Sequence, residues 1–157
     1  MNVKLFRTSN YSCIWLIMIV GMLDFISKQW IMNFFELGQG VSLTPFLNII
    51  YIQNYGVALN FFINKDGWKF WLLIIIQIIL ILSCILSYTL MQPMKNIVAW
   101  SMIIGGSLGN CLDRILHGFV IDFIDFTIIK NWHLPTFNFA DAAICMGVFL
   151  TLIGNFP

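Results

Sequence analysis

Long apolar stretches, broken by short polar clusters, organise this chain. About 20 apolar residues carry a helix across a bilayer core, and four segments reach or approach that length. They cover about 13–32, 70–90, 97–112 and 140–156. The second is the cleanest, with the run Ile74-Ile75-Ile76-Gln77-Ile78-Ile79-Leu80-Ile81-Leu82. Gln92-Pro93 then ends the helix and Lys95 marks a short turn before the third segment. The two longer connections, about 33–69 and 113–139, carry a different pattern. Phe46 to Gln53 is a β-rich run with turn residues at both ends, and Val120 to Phe126 alternates enough to form a second short strand. The expected fold is an all-α membrane protein of four transmembrane helices, with a small β-containing extracytoplasmic region on the membrane surface. One domain spans residues 1–157, without internal repeats.

Composition points the same way. Of 157 residues, 60% are hydrophobic and 10% charged, where a soluble domain carries about a quarter charged. A net charge of +1 without a basic run excludes nucleic acid as a partner. Cys13, Cys84, Cys111 and Cys145 form no C-x-x-C pair and read as free, buried thiols. His117 and His133 have no partner at metal-ligand spacing, so no metal is expected and His117 reads as loop surface.

Lys4 and Arg7 before the first apolar run resemble the start of a signal peptide. No small-x-small cleavage site follows and the run continues to Asp24 and Lys28, which reads as a retained span. An even number of spans puts both termini on one side. Lys4, Arg7 and Lys95 then balance Lys65, Lys69 and Lys130. The flank of the first helix and the shorter connections favour cytoplasmic termini. Trp68 and Trp71 suit an interfacial aromatic belt on the outer side.

The polar clusters are the candidate chemistry. Asp24 and Lys28 stand at i, i+4 on one helix face, an ion pair that could support other polar groups. In Gln53-Asn54-Tyr55-Gly56-Val57-Ala58, the small residues permit close backbone approach and Asn54 offers both a donor and an acceptor, although a simple turn explains it equally well. Gly105-Gly106-Ser107-Leu108-Gly109 suits close helix packing. Asn110, Asp113 and Arg114 then form one polar face at a helix end, with an expected Asp113–Arg114 ion pair. Asp122 and Asp141 stand in apolar company, which marks each as a functional candidate. Asn138 as N-cap with Asp141 three residues later also fits a helix start. Asp125 reads as an exposed loop acid. No Ser, Thr or Cys nucleophile has a recognisable base beside it, which leaves paired carboxylates sharing one proton as the hydrolytic chemistry available.

Taken in order, Asp24-x-x-x-Lys28, Asn54-x-Gly56-x-Ala58, Gly109-Asn110-x-x-Asp113-Arg114, Val120-Ile121-Asp122-Phe123 and Phe137-Asn138-x-Ala140-Asp141 resemble the motifs of the lipoprotein signal peptidases (signal peptidase II). The resemblance covers residues 24 to about 144. Leu59-Asn60 stands where the family commonly has Phe-Ser, Ser107 where Ala is usual, and Ala142 where Ser is frequent. The resemblance implies an aspartic endopeptidase of the bacterial inner membrane, with its site near the outer leaflet. It would cleave diacylglyceryl-modified prolipoproteins just before the lipid-bearing cysteine. It implies Asp122 and Asp141 as the catalytic dyad, in either order of acid and base. Asn54, Gly56, Asn110, Asp113, Arg114 and Asn138 would orient the dyad or contact substrate, and Asp24 and Lys28 would give structural support. No cofactor is implied, and a monomer in the lipid bilayer is expected. A four-span proton-coupled transporter is the alternative, but it needs acids near mid-span, where only Asp24 lies. A non-enzymatic assembly subunit would require neither aspartate.

Overall fold

The computed structural model describes residues 4–56, 67–90, 97–129 and 132–154. Within them the chain runs α1 (Lys4–Phe34), β1 (Gly40–Thr44), β2 (Leu47–Asn54), α2 (Gly67–Leu90), α3 (Ile97–His117), β3 (Val120–Ile129), β4 (Trp132–His133) and α4 (Phe139–Gly154). The architecture is mostly helical, with an antiparallel sheet in the order β1-β2-β3-β4. The four helices stand over the four predicted apolar segments. Among the described residues, Ser12–Phe34 is the helix long and apolar enough to cross a membrane by length and composition, while Trp71–Ser83 and Phe139–Ile153 are shorter apolar stretches. The predicted break at Gln92-Pro93 and the Ala58 to Asn60 stretch lie outside the described residues.

Both predicted strands form, and the sequence pattern missed β1 and β4. β1 pairs with β2 through residues such as Val41 and Ile49, and β4 is a two-residue return beside Thr127 and Ile129. β4 is too short to show a period-2 signal, whereas in β1 the alternation Val41-Ser42-Leu43-Thr44 was present but brief. The sheet packs under the end of α1. Ile31, Tyr51, Ile121 and Phe123 form its buried core, with Met32, Phe35, Ile49 and Phe119 against them. Side chains alternate along a strand, so Ile121 and Phe123 share this apolar face while Asp122 between them points the other way.

α3 is the central helix, in contact with α1, α2 and α4. The glycines predicted for packing make these approaches possible. A Cβ at Gly106 would run into the carbonyl of Ala140 on α4, and one at Gly109 would lie 2.6 Å from Oδ2 of Asp24 on α1. Outward-facing residues are apolar on every helix, including Trp15, Met22, Ile79, Leu82, Leu108 and Phe149.

Charge ties the helices together on the inside. Lys28 is fully buried, and its ammonium lies 2.6 Å from Asp24 Oδ2 and 2.8 Å from Asp113 Oδ2. The i, i+4 pair expected within α1 is therefore also a bridge to α3. Asp24 reaches further, because its Oδ1 accepts the Ala140 backbone N–H at 2.8 Å. That group is one of the first-turn N–H groups of α4, which have no partner inside their own helix. The second Asp113 contact is with the sheet: Oδ2 accepts the Ile121 N–H at 3.1 Å. Three helices and β3 thus converge on two carboxylates and one ammonium.

Two outcomes are expected. Lys28→Met leaves two buried carboxylates without their cation and lowers stability by about 3–5 kcal/mol. Gly106→Ala forces α3 and α4 apart and lowers stability by about 1–3 kcal/mol. Thermal unfolding of the purified variants measures both losses.

Candidate active site

Asp122 and Asp141 reach the site from different elements. Asp122 lies on β3 and is 2% exposed. Asp141 lies in the first turn of α4. The chain between them folds back because Phe137 bridges to Ile124 in antiparallel fashion. The Phe137 carbonyl accepts the N–H groups of Phe123 and Ile124 at 3.1 and 2.8 Å, and the Phe137 N–H donates to the Ile124 carbonyl at 3.0 Å. That pairing sets Asn138, and the helix start after it, beside Asp122.

Asn138 is fully buried and uses both ends of its amide. Its Oδ1 accepts the Asp141 N–H at 2.8 Å, while its own N–H lies 3.4 Å from Asp141 Oδ2. These are the reciprocal bonds of a capping box, with the predicted N-cap and N3 residues in place. Its Nδ2 donates to Asp122 Oδ1 at 2.7 Å, with Asn110 Oδ1 and the Ile121 carbonyl further off at 3.1 and 3.2 Å. The helix-start and carboxylate-aiming roles belong to one side chain.

Asn110 completes the ring. Its Nδ2 donates to Asp141 Oδ1 at 2.7 Å, and its Oδ1 accepts from Lys28 Nζ at 3.0 Å. An ammonium can only donate, so Lys28 fixes which end of the Asn110 amide is oxygen and turns the NH₂ toward Asp141. The ammonium thus stands between the Asn110 oxygen and the carboxylates of Asp24 and Asp113. On the other flank, Asn54 Nδ2 donates to Asp122 Oδ2 at 2.8 Å. The Gly56 N–H donates to Asn54 Oδ1 at 2.9 Å, a short turn that fixes this amide as well. Gly56 has φ 93°, in the left-handed region that favours glycine. A Cβ there would also lie 2.8 Å from a methyl of Leu73 on α2.

Burial pushes the Asp122 carboxyl up from 3.8 to about 7. Among its neighbours, the hydrogen bond from Asn54 opposes the rise most, the negative charge of Asp141 adds to it, and Asn138 and Lys28 oppose it. Asp122 and Asp141 are thus electrostatically coupled, and near neutral pH Asp122 is poised to hold a proton.

Several expectations change. The Asp113–Arg114 ion pair is replaced by two separate contacts, since successive helical residues point about 100° apart. Asp113 faces Lys28, whereas Arg114 Nη1 donates to Gln77 Oε1 on α2 at 2.8 Å and to the Asn110 carbonyl at 3.1 Å. Asp125 is a buried strand residue, not an exposed loop acid. It accepts from Asn48 Nδ2 at 2.8 Å and pairs with His133 Nδ1 at 2.9 Å. His117 ends α3 with its Nδ1 enclosed and its ring against Phe119, so it is not loop surface. Of the thiols, Cys13 and Cys111 are buried and Cys145 is exposed, while the Cys84 side chain lies outside the described residues. Gln77 was missed altogether, although a lone amide within an apolar run was a signal.

Among the described residues no group of three or more His, Cys, Asp or Glu could hold a metal ion. The arrangement can do acid–base chemistry: two coupled carboxylates, one raised to about 7, are each held by asparagine donors.

Comparison with known proteins places the chain in a family. The family model described as "Signal peptidase (SPase) II" matches residues 16–156. The lipoprotein signal peptidase of Yersinia enterocolitica is 47% identical over 146 residues, covering 91% of this chain and 85% of the relative. That of Serratia proteamaculans is 44% identical over 145 residues, with the same coverage. A solved bacterial membrane enzyme, determined in meso at 1.9 Å resolution, superposes with a TM-score of 0.78 at 32% identity, covering 90% of each chain. With the motifs, the fold and the family model in agreement along almost its whole length, the chain belongs to the signal peptidase II family.

Proposed function

We propose that this protein is a membrane-embedded aspartic endopeptidase that removes signal peptides from diacylglyceryl-modified bacterial prolipoproteins, with Asp122 and Asp141 as its catalytic dyad. Family membership carries the coarser statement, a peptidase acting on lipoprotein signal peptides. The observation that carries the finer one is the hydrogen-bonded ring of Asn138, Asn110 and Asp141, to which Asn138 also ties Asp122, so that amides aim two carboxylates from separate elements.

The chemistry follows from the protonation of Asp122. At neutral pH it holds the shared proton and hydrogen-bonds the scissile carbonyl oxygen. Asp141 takes a proton from water as the water oxygen bonds to the carbonyl carbon. Asp122 gives its proton to the carbonyl oxygen, which makes the tetrahedral intermediate a diol. As the C–N bond then breaks, Asp141 returns the proton it took to the leaving nitrogen and a diol hydroxyl returns a proton to Asp122. Asn110 and Asn138 keep both carboxyls in place through these steps. Arg114, Asp113, Asn54 and Gly56 complete the walls that orient the dyad or meet the substrate. Asp24 and Lys28 hold the wall from beneath.

The membrane reading rests on the apolar exteriors of all four helices and on the similar solved membrane enzyme. In it the helices are four spans, both termini are cytoplasmic, and the sheet lies on the outer surface. The protein acts as a monomer, and a substrate anchored by its diacylglyceryl chains arrives laterally. The whole chain is one peptidase domain. A proton-coupled transporter is less well supported, because Asp122 and Asp141 meet at the junction of helix ends and sheet rather than at mid-span.

Cleavage of a diacylglyceryl-modified prolipoprotein by the purified protein tests the dyad. Asp122→Asn and Asp141→Asn should each lower kcat by at least about a hundredfold with the fold retained, and full activity in either variant would refute the assignment. The pH–rate profile gives an independent check. Asp122 has its carboxyl raised, so its proton is present below about pH 7 and lost above it. Activity should therefore fall as pH rises through about 7, and the profile should be bell-shaped and belong to the pair. A rate that stays flat or climbs to pH 9 (about two units above that value) contradicts the acid role.

A further inference from the structure

Gln77 lies half-buried within the apolar run of α2, where an amide is retained only if its polar groups find partners. Both do. Its Nε2 donates to the Ser107 carbonyl at 2.7 Å, and its Oε1 accepts from Arg114 Nη1 at 2.8 Å. The same Nη1 also donates to the Asn110 carbonyl at 3.1 Å. One nitrogen of the guanidinium is thus held between an oxygen on α2 and an oxygen on α3. The negative charges of Asp141 and, less, Asp122 act on the Arg114 guanidinium, and the Asn110 whose carbonyl it holds is the residue that aims Asp141.

α2 packs against α3 and supplies none of the carboxylates or asparagines of the ring. The arginine side chain is long and has many rotamers, so its charge has a defined place only where the fork is anchored. We infer that Gln77 is a positioning residue for the peptidase reaction. Its oxygen anchors Arg114 and so sets where the guanidinium stands relative to Asp141 and Asp122, giving α2 a part in the site. The inference rests on the peptidase reading above and adds to it a residue outside the family motifs.

The two ends of the amide allow a test that separates positioning from helix packing. Gln77→Leu and Gln77→Glu both lose the donation to Ser107, but only Gln77→Glu keeps an oxygen facing Arg114. With a diacylglyceryl-modified prolipoprotein peptide as substrate, Gln77→Leu should lower kcat/KM about tenfold, the size of one lost hydrogen bond to a charged group, while Gln77→Glu stays within about threefold of the unsubstituted protein. Melting temperature in detergent reports on the fold. If Gln77→Leu does not fold, Gln77→Met, close in volume and without an oxygen, takes its place in the same comparison. Equal losses in the apolar and Glu variants would overturn the inference, as would a Gln77→Leu variant within about twofold of the unsubstituted rate. The two possible failures are distinguishable. Full cleavage by Asp122→Asn or Asp141→Asn sinks the dyad, whereas parallel behaviour of the Gln77 variants sinks only the role of Gln77.

Discussion

The Lys28 ammonium is the interaction on which the rest of the structure depends. A buried charge of this kind is tolerable only with its protons fully engaged. Here the ammonium donates to Asn110 on α3 and lies against the carboxylates of Asp24 on α1 and Asp113 on α3. Each acceptor passes the constraint on. Asp24 takes an N–H at the start of α4, Asp113 takes an N–H of β3, and Asn110 is left with its NH₂ facing Asp141. One cation thus sets the azimuth of α1, the docking of α4 and the direction of an amide. The small residues of α3 matter for the same reason, because Gly109 is what allows Asp24 to approach so closely.

Asparagine is suited to the next layer because its two ends are chemically distinct. In Asn138 the oxygen caps α4 while the nitrogen aims Asp122. In Asn110 the oxygen is committed to Lys28, so the nitrogen is committed to Asp141. An aspartate at either position would add negative charge and remove the donor, and a leucine would leave buried partners unsatisfied. The ring therefore explains why neutral amides accompany the carboxylates; burial and the charge of Asp141 raise the Asp122 carboxyl toward neutral pH against the donation from Asn54 and Asn138.

Much of this was legible in the chain. The apolar segments foretold all four helices, because a run such as Ile74 to Leu82 has few other solutions. The β-rich runs foretold β2 and β3. The Asn138 and Asp141 spacing foretold a capping box, since that motif is local and both partners lie on one turn. Nonlocal partners were not legible. Asp113 and Arg114 are adjacent and opposite in charge, yet they serve different neighbours. Asp125 looked like a loop acid because Asn48 and His133, which enclose it, reach it only through strand pairing.

By itself, the sequence determined the four helices, the two longer strands, the chemical inventory and the family. Helical and strand periodicity, capping and motif order are properties of neighbours along the chain. Tertiary structure alone decided which inventory members meet. The rotation of α3 sends Asp113 to α1 and Arg114 to α2, and the Ile124–Phe137 bridge brings Asn138 to Asp122. Those meetings depend on helix azimuth and strand register. Both are settled by packing the whole chain at once, with every buried polar group requiring a partner.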